Sequence, residues 1–503
     1  MTSPNGPDSL TVETDKSTLK RRSIRGAAAM LGAQGTRLVV QLGSQIVLAH
    51  LLDPAVFGLL AMAGPILSLV QIFNELGLTQ ATVQRPTISH GELSALFWVN
   101  VVISFGLALL MAMSAPLVAW FYGEPRLAPI TACLAGLLIL SGLTSQQIAL
   151  MNRRMQFGSL AIIDIACLVG GTAVGISTAW FGAGYWSLVL MQVANSFVIF
   201  ILAWFFSGWR PSRPRWDSGA LPLLGFGGHL TGFNFLFYAE ANLSSVLIGK
   251  LDGDVALGFY DRAFKLVIVP WWQINVPLAR VAVALLSRLR DTESLYVRAH
   301  QRLLQGLLFA AVPGLVWAAA TSSTLVPAVL GQQWARAAPI VAYFSLATTV
   351  MPFRSSAYWL FVSQGRVKQQ LRYGYVTGVL VIISLLVGAP WGPVGIAASY
   401  AAFNVPIQAI EIWGATRQGP VTLGAVLRAA YPVVLAAAVA AVAIRVGQRQ
   451  LETAQIGVDL RLGASLVLAY AASGVTLLCL PDGLSILRDV WAWRHAFRRA
   501  SLG

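Results

Sequence analysis

Charge is scarce in this chain: only 11% of its 503 residues are Asp, Glu, Lys or Arg, against about 25% in a soluble globular protein. That scarcity excludes an ordinary soluble enzyme, which needs a charged surface to stay dispersed in water. Cysteine is scarce too. Cys133, Cys167 and Cys479 lack the paired spacing of a metal site or a disulfide framework, and because all three fall in apolar runs they are expected in the core. There is no nucleotide-binding glycine motif, no metal-ligand cluster and no paired-carboxylate site. Chemistry therefore has no visible seat, and neither catalysis, a metal nor a cofactor is expected.

What fills the chain is apolar: 56% of residues are hydrophobic and the mean hydropathy is +0.69. A bilayer crossing takes about 20 apolar residues, so about 14 helices fit if little is left for soluble domains. The expected fold is an all-α polytopic membrane protein. Apolar runs and their Gly, Pro and charge punctuation predict crossings near 26–49, 56–76, 94–119, 128–150, 159–180 and 185–207. A basic, Pro-containing stretch from Trp209 to Arg215 follows, then crossings near 221–248, 256–286, 303–328, 337–362, 372–389 and 393–414, and a last pair near 425–444 and 462–480. The first apolar run is too long for a signal peptide and lacks a small-residue cleavage site, so it is expected to stay as the first helix.

The 35 Lys and Arg outnumber the 20 Asp and Glu, for a net charge of +15. In a soluble protein this would suggest a nucleic-acid partner. Here the loops explain it, since cytoplasmic loops of membrane proteins accumulate Lys and Arg. With the N-terminus inside, 24 of the 35 fall in inner segments and eight in outer ones, the latter including Lys250, Arg262 and Lys265. Fourteen crossings with both termini cytoplasmic, and no nucleic acid, is the expectation. The boundaries are a cytoplasmic tail over 1–25, an N-terminal lobe over 26–208, a cytoplasmic linker over 209–220, a C-terminal lobe over 221–414, the last two helices over 425–480 and a basic amphipathic tail over 481–503. In that tail Leu484, Leu487, Val490, Trp491 and Phe497 recur at near-helical spacing among Arg488, Arg494, Arg498 and Arg499, a pattern suited to an anionic membrane surface. An internal echo supports two like halves. Val47–Val56 parallels Val246–Val255 at a constant offset, with Asp53 matching Asp252, as expected of parallel repeats.

Several stretches carry a resemblance. Phe57-Gly58-Leu59-Leu60, then Glu75-Leu76-Gly77-Leu78 running to Gln84-Arg85, and Leu96-Phe97-Trp98-Val99-Asn100 form one set. Asn242 to Gly249, Gly258-Phe259-Tyr260-Asp261-Arg262-Ala263, Pro270, Asn275-Val276-Pro277, Arg280-Val281 and Gly331-Gln332-Gln333-Trp334 form another. From about residue 20 to 415 the chain resembles the Wzx-type polysaccharide flippases of the MOP (MATE-like) exporter superfamily, in the colanic-acid and exopolysaccharide exporter branch. One departure is Ala284, where the family pattern tends to place Pro after the Arg-Val pair, which puts a kink there in question. The resemblance implies a V of two pseudo-symmetric six-helix lobes with two added C-terminal helices, in a bacterial inner membrane. It implies a carrier, not an enzyme, that moves a polyprenyl-diphosphate-linked oligosaccharide from the inner to the outer leaflet by alternating access. Membrane lipids and a polysaccharide polymerase or co-polymerase are the further partners.

The residues lead toward the same chemistry by cost. A charge near mid-membrane costs about 2.5–3.5 kcal/mol, so Arg37, Arg280, Arg354, Asp164 and Glu240 must face protein or water. Guanidinium groups offer phosphate a planar fork of donors, which makes Arg37, Arg280 and Arg354 candidate ligands of the diphosphate; internal salt bridges to Asp164 or Glu240 are the alternative. Glu240 and Asp164 are also candidates for a coupling ion, H+ or Na+. Gln41, Asn234, Tyr238, Asn242, Gln273 and Asn275 are candidate saccharide contacts, with Gln34, Gln45, His229, Trp271 and Trp272 weaker ones. The rival functions are a cation-coupled exporter of small molecules and, less favoured, a membrane-embedded polymerase or ligase. The excess of buried Arg over buried acid favours an anionic lipid, and the short outer loops disfavour the enzyme.

Overall fold

The computed structural model describes residues 35, 37–74, 88–213, 231–454 and 456–480. The described residues are helical almost throughout, and the helices reproduce the expected order. Helix α1 (Arg37–Leu51) is followed by α2 (Pro54–Asn74), α3 (His90–Tyr122), α4 (Leu127–Arg153), α5 (Phe157–Trp180) and α6 (Trp186–Ser207). Next come α7 (Thr231–Leu251), α8 (Gly253–Arg288), α9 (Glu293–Leu330), α10 (Ala338–Thr349), α11 (Met351–Ser363), α12 (Val367–Gly388) and α13 (Gly392–Thr416), then α14 (Leu423–Thr453) and α15 (Val458–Leu478). Among the described residues ten spans are long and apolar enough to cross a bilayer, so this is a multi-pass membrane protein. The basic tail over 481–503, the N-terminal tail and most of the first loop's family-like residues lie outside the described residues.

Local chemistry sets the helix ends. Ser89 caps α3 in a reciprocal box: its hydroxyl accepts from Glu92 N (3.1 Å) and the Glu92 carboxylate accepts from Ser89 N (2.8 Å), satisfying two donors that a helix start leaves orphaned. The same helix stops at Gly123, which takes the left-handed conformation at φ 73° that only glycine adopts at little cost. Arg126 closes the following turn by donating from Nε to Glu124 (2.7 Å), and this hydrogen bond holds the Glu124 carboxyl below its usual range. The segment after α6 is fastened to the start of α3. Trp209 Nε1 donates to His90 Nδ1 (3.1 Å), Trp98 Nε1 to Ser212 O (2.9 Å) and Ser212 N to Ser94 Oγ (3.1 Å).

The described residues fall into two compact units, one running to Tyr238 and the other starting at Ala239. In the first, α3 packs on α4, α5 on α6, and α4 on α6, with α2 against α3 and α4. In the second, α12 packs on α13, and α9 is the central post, contacting α8, α10, α14 and α15. Helix α14 seats a row of small residues, Ala425, Ala429, Ala430, Ala436 and Ala437, in the same core cluster as Leu303, Leu304, Leu307 and Leu308 of α9. Small side chains let two helix backbones approach closely, which is how helices associate where no hydrophobic effect acts between them.

The outward side chains are the reverse of a soluble protein's. Along α3, Val102, Phe105, Leu110, Met113, Leu117 and Trp120 are exposed, while Asn100 and Ser104 are buried; Asn100 Nδ2 donates to Ser145 Oγ of α4 (2.9 Å). Apolar runs therefore do not imply core. Cys133 and Cys167 are only half-buried and Cys479 is exposed, contrary to expectation, because lipid accepts a thiol-bearing face as readily as the interior does.

Two further differences matter. The crossing expected near 337–362 is two helices, broken at Val350. Pro352 lacks an N–H and so cannot continue the backbone ladder to the preceding turn. Helix α8, by contrast, runs unbroken through Ala284, with Pro270 and Pro277 inside it. The two echo segments occupy like places: Asp53 immediately precedes α2, as Asp252 precedes α8.

The α12–α13 pair turns on Gly388 and Gly395. A Cβ at Gly388 would lie 2.5 Å from Gly395 O and 2.6 Å from Ile396 Cα, and backbone atoms cannot move aside. Gly388→Val is expected to cost about 1–3 kcal/mol, read as a lower melting temperature in detergent. Gly136→Val should leave that temperature unchanged, since nothing lies within 4 Å of a Cβ there.

Candidate functional site: charges held inside the helices

The break at Val350 creates the most elaborate polar group of the second unit. The Ala347 carbonyl, one of those left near the end of α10, accepts from Asn404 Nδ2 of α13 (3.0 Å). Helix α11 restarts at Met351, which puts Arg354 in its first turn. A cation at the positive end of a helix is unfavourable, and two carboxylates answer it. Arg354 Nη1 donates to Glu240 Oε1 of α7 (3.3 Å), and Arg354 Nε lies 3.5 Å from Glu411 Oε1 of α13. Glu411 also accepts from Thr377 Oγ1 of α12 (2.9 Å), and Tyr400 of α13 lies within electrostatic range of Arg354. One guanidinium thus ties α7, α11, α12 and α13 together. Its side chain is 32% exposed, against 17% for Glu240 and 11% for Glu411.

Glu411 was not among the residues singled out from sequence. The signal was present, an acid inside the expected 393–414 crossing, but so near its end that it reads as a loop-side residue.

Arg37 and Asp164 belong to the first unit, on α1 and α5. Arg37 is exposed, and its guanidinium acts electrostatically on Asp164 and on Cys167 one turn away. Arg280 belongs to the second unit and is exposed on α8. The structure brings Glu240 together with Arg354; it does not bring Arg280 to that pair.

Arg262 and Lys265, counted above among outer-loop charges, lie instead within α8. Both bind Asp261: Arg262 Nη2 at 2.9 Å and Lys265 Nζ at 2.9 Å. Arg262 is buried at 8% exposure. Pairing with an in-helix carboxylate is what lets two cations enter an apolar helix, and it removes two charges from the outer loops.

The saccharide candidates are dispersed. Gln41 and Gln45 on α1, Tyr238 and Asn242 on α7, and Gln273 and Asn275 on α8 are all half-buried. Asn275 Oδ1 is a buried acceptor with no protein partner. Trp271 sits in the core of the second unit, whereas its neighbour Trp272 is 52% exposed. Gln34, His229 and the side chain of Asn234 lie outside what is described.

Helices of this kind, with ion pairs in their interior and lipid-type surfaces outside, define a polytopic helical membrane protein. Residues 47–339 match the family described as polysaccharide biosynthesis protein, and the chain belongs to that family. It is 25% identical over 393 residues to the lipopolysaccharide biosynthesis protein WzxC of Escherichia coli (strain K12), covering 77% of this chain and 79% of that one. It is 23% identical over 352 residues to the succinoglycan biosynthesis transport protein ExoT of Rhizobium meliloti (strain 1021), covering 67% and 71%. Among solved structures it matches the lipid II flippase MurJ in an inward closed conformation with a TM-score of 0.70 at 11% identity, over 90% of this chain and 97% of that one. At that identity the match speaks for the fold. The Wzx-type resemblance read from the sequence is borne out.

If Arg354 holds its carboxylates in place, Arg354→Ala should destabilise by about 1–3 kcal/mol, because Glu411, buried, and Glu240, half-buried, lose their cation. The triple variant Arg354→Ala, Glu240→Gln, Glu411→Gln should recover most of the lost melting temperature. A triple variant no more stable than the single one would show that the ion pairs are not what holds these helices.

Proposed function

We propose that this protein is a flippase that moves a polyprenyl-diphosphate-linked oligosaccharide from the inner to the outer leaflet of a bacterial inner membrane, for assembly of an exopolysaccharide or lipopolysaccharide. The carrying observation is the family match over residues 47–339 together with an exposed cation, Arg280, on a helix long and apolar enough to cross the membrane. Relatives named for transport and biosynthesis of polysaccharides support a carrier over a polymerase or ligase. The two-lobed, alternating-access organisation, with lobes over 26–208 and 221–414, both termini cytoplasmic and the last two helices as an addition, is part of the same reading.

Binding follows from charge. In this reading Arg280 and Arg37, exposed cations of separate units that can offer bidentate forks, are the candidate diphosphate ligands. Arg354 is a third ligand only if phosphate oxygens displace Glu240 or Glu411, which makes it the residue through which substrate and ion would compete. Arg354, Glu240 and Glu411 together hold one negative charge in surplus, and in a low-dielectric interior that surplus favours uptake of one H+ or Na+. Glu240 is the preferred coupling site and Asp164 the second. The amides and phenol at Gln41, Asn234, Tyr238, Asn242, Gln273 and Asn275 are the saccharide contacts of this reading. A small-molecule, cation-coupled exporter would use the same acids but would not need Arg280.

In cells lacking the native copy, Arg280→Ala is expected to abolish polysaccharide export and Arg280→Lys to leave it impaired, with protein levels near normal. Normal export by the alanine variant would overturn the head-group role, and the saccharide should accumulate on the inner leaflet when export stops. For topology, single cysteines at Ser3, Ser212 and Ser501 in a cysteine-free background should resist an impermeant thiol reagent in intact cells. Labelling of any one from outside would overturn the orientation.

A further inference from the structure

Helix α8 spans 36 residues, about 54 Å at 1.5 Å per residue, and the second half of its length is exposed on two opposite and unlike faces. One face carries Ile274, Val281 and Leu285, which lipid tails accept. The other carries Trp272, Val276, Arg280 and Ser287, all exposed, and on the same face, beyond the buried Val269, lies Lys265, whose side chain is 39% exposed. At about 100° per residue these five side chains fall within about 80° of one another.

Two cations therefore mark one strip. Lys265 and Arg280 are separated by about 22 Å along the helix, most of a hydrocarbon core of about 30 Å, and Trp272 stands about midway. Neither Lys265 nor Trp272 is loose. The Lys265 ammonium is held 2.9 Å from Asp261, one turn back, and the Trp272 ring meets Phe264 edge-on at 6.3 Å between centroids. Pairing with Asp261 offsets the cost of about 2.5–3.5 kcal/mol that a bare ammonium bears in an apolar helix, and the 39% of the Lys265 side chain left exposed is open to a second anionic partner. The spacing of Lys265 and Arg280 is far more than one diphosphate can bridge.

We propose that Lys265 is a second head-group station: the diphosphate binds first at Arg280 and passes along α8 to Lys265, while a sugar ring of the saccharide slides over Trp272. This rests on the flippase reading. The two cations suit unequal tasks. Arginine's fixed fork captures a phosphate, whereas lysine is a flexible point charge, and Asp261 competes for it, so the second station releases its load. A half-exposed indole offers a flat apolar face of the kind that a sugar's C–H surface packs against.

The test uses the full-length protein. Binding is measured in detergent with farnesyl diphosphate as the probe, and export is measured in cells per molecule of protein. Arg280→Ala should weaken probe binding at least tenfold. Lys265→Gln should bind the probe within twofold of the wild type yet lower export at least tenfold, and Lys265→Arg should restore most of it. Trp272→Ala, at an exposed position that does not threaten folding, should slow export severalfold with probe binding unchanged. Normal export by Lys265→Gln, equal loss of probe binding in Lys265→Gln and Arg280→Ala, or failure of Lys265→Arg to restore export would each overturn the second station. Normal export by Trp272→Ala would overturn the platform. A wild type that fails to bind the probe at all would instead sink the flippase reading's head-group site, leaving the two failures distinguishable.

Discussion

The cost of placing a charge in hydrocarbon governs nearly everything in this molecule. It explains why so few residues are ionised, and it dictates the company those residues keep. Arg354 is paired with Glu240 and Glu411, Lys265 and Arg262 with Asp261, and Arg37 acts on Asp164. A buried ion pair is a poor source of net stability, but losing one partner is expensive. Such pairs consequently hold helices in one arrangement without adding much to the free energy of folding.

That constraint also connects the helix break to the ion pairs. Pro352 interrupts the backbone ladder, Asn404 accommodates a carbonyl near the break, and the restarted helix presents Arg354 where two acids from other helices reach it. In membranes, irregular backbone persists only where protein or water satisfies it. A group in which one guanidinium serves two carboxylates has more than one way to balance its charge. This is the property that a site responding to a proton, a cation or a phosphate needs, and a fully neutral apolar contact would lack it.

Small residues do the complementary work. With lipid outside and apolar side chains inside, helices gain little from burial as such, and close backbone approach takes over. The alanine row of α14 against α9 and the glycine pair between α12 and α13 are examples. Polar side chains such as Asn100, Ser145, Asn404 and Gln408 turn inward to bond with one another or with backbone carbonyls.

The amino-acid sequence by itself determined the series of apolar helices, since a run of about 20 apolar residues has no other stable home and its Gly, Pro and charge boundaries are local; it did not determine that the 337–362 run divides in two. It also determined the family resemblance, through short motifs, and the short list of embedded charges, through their cost. Only the tertiary structure decided which charges meet. Glu411 reads from sequence as a residue at the end of a helix, yet α13 brings it beside Arg354, 57 positions earlier in the chain. Arg262 and Lys265 read as loop charges until Asp261, on the same helix, is seen to pair with both. Whether an apolar side chain faces lipid or core was likewise decided in three dimensions, as Cys479 shows, because both environments are apolar and the one-dimensional pattern cannot tell them apart.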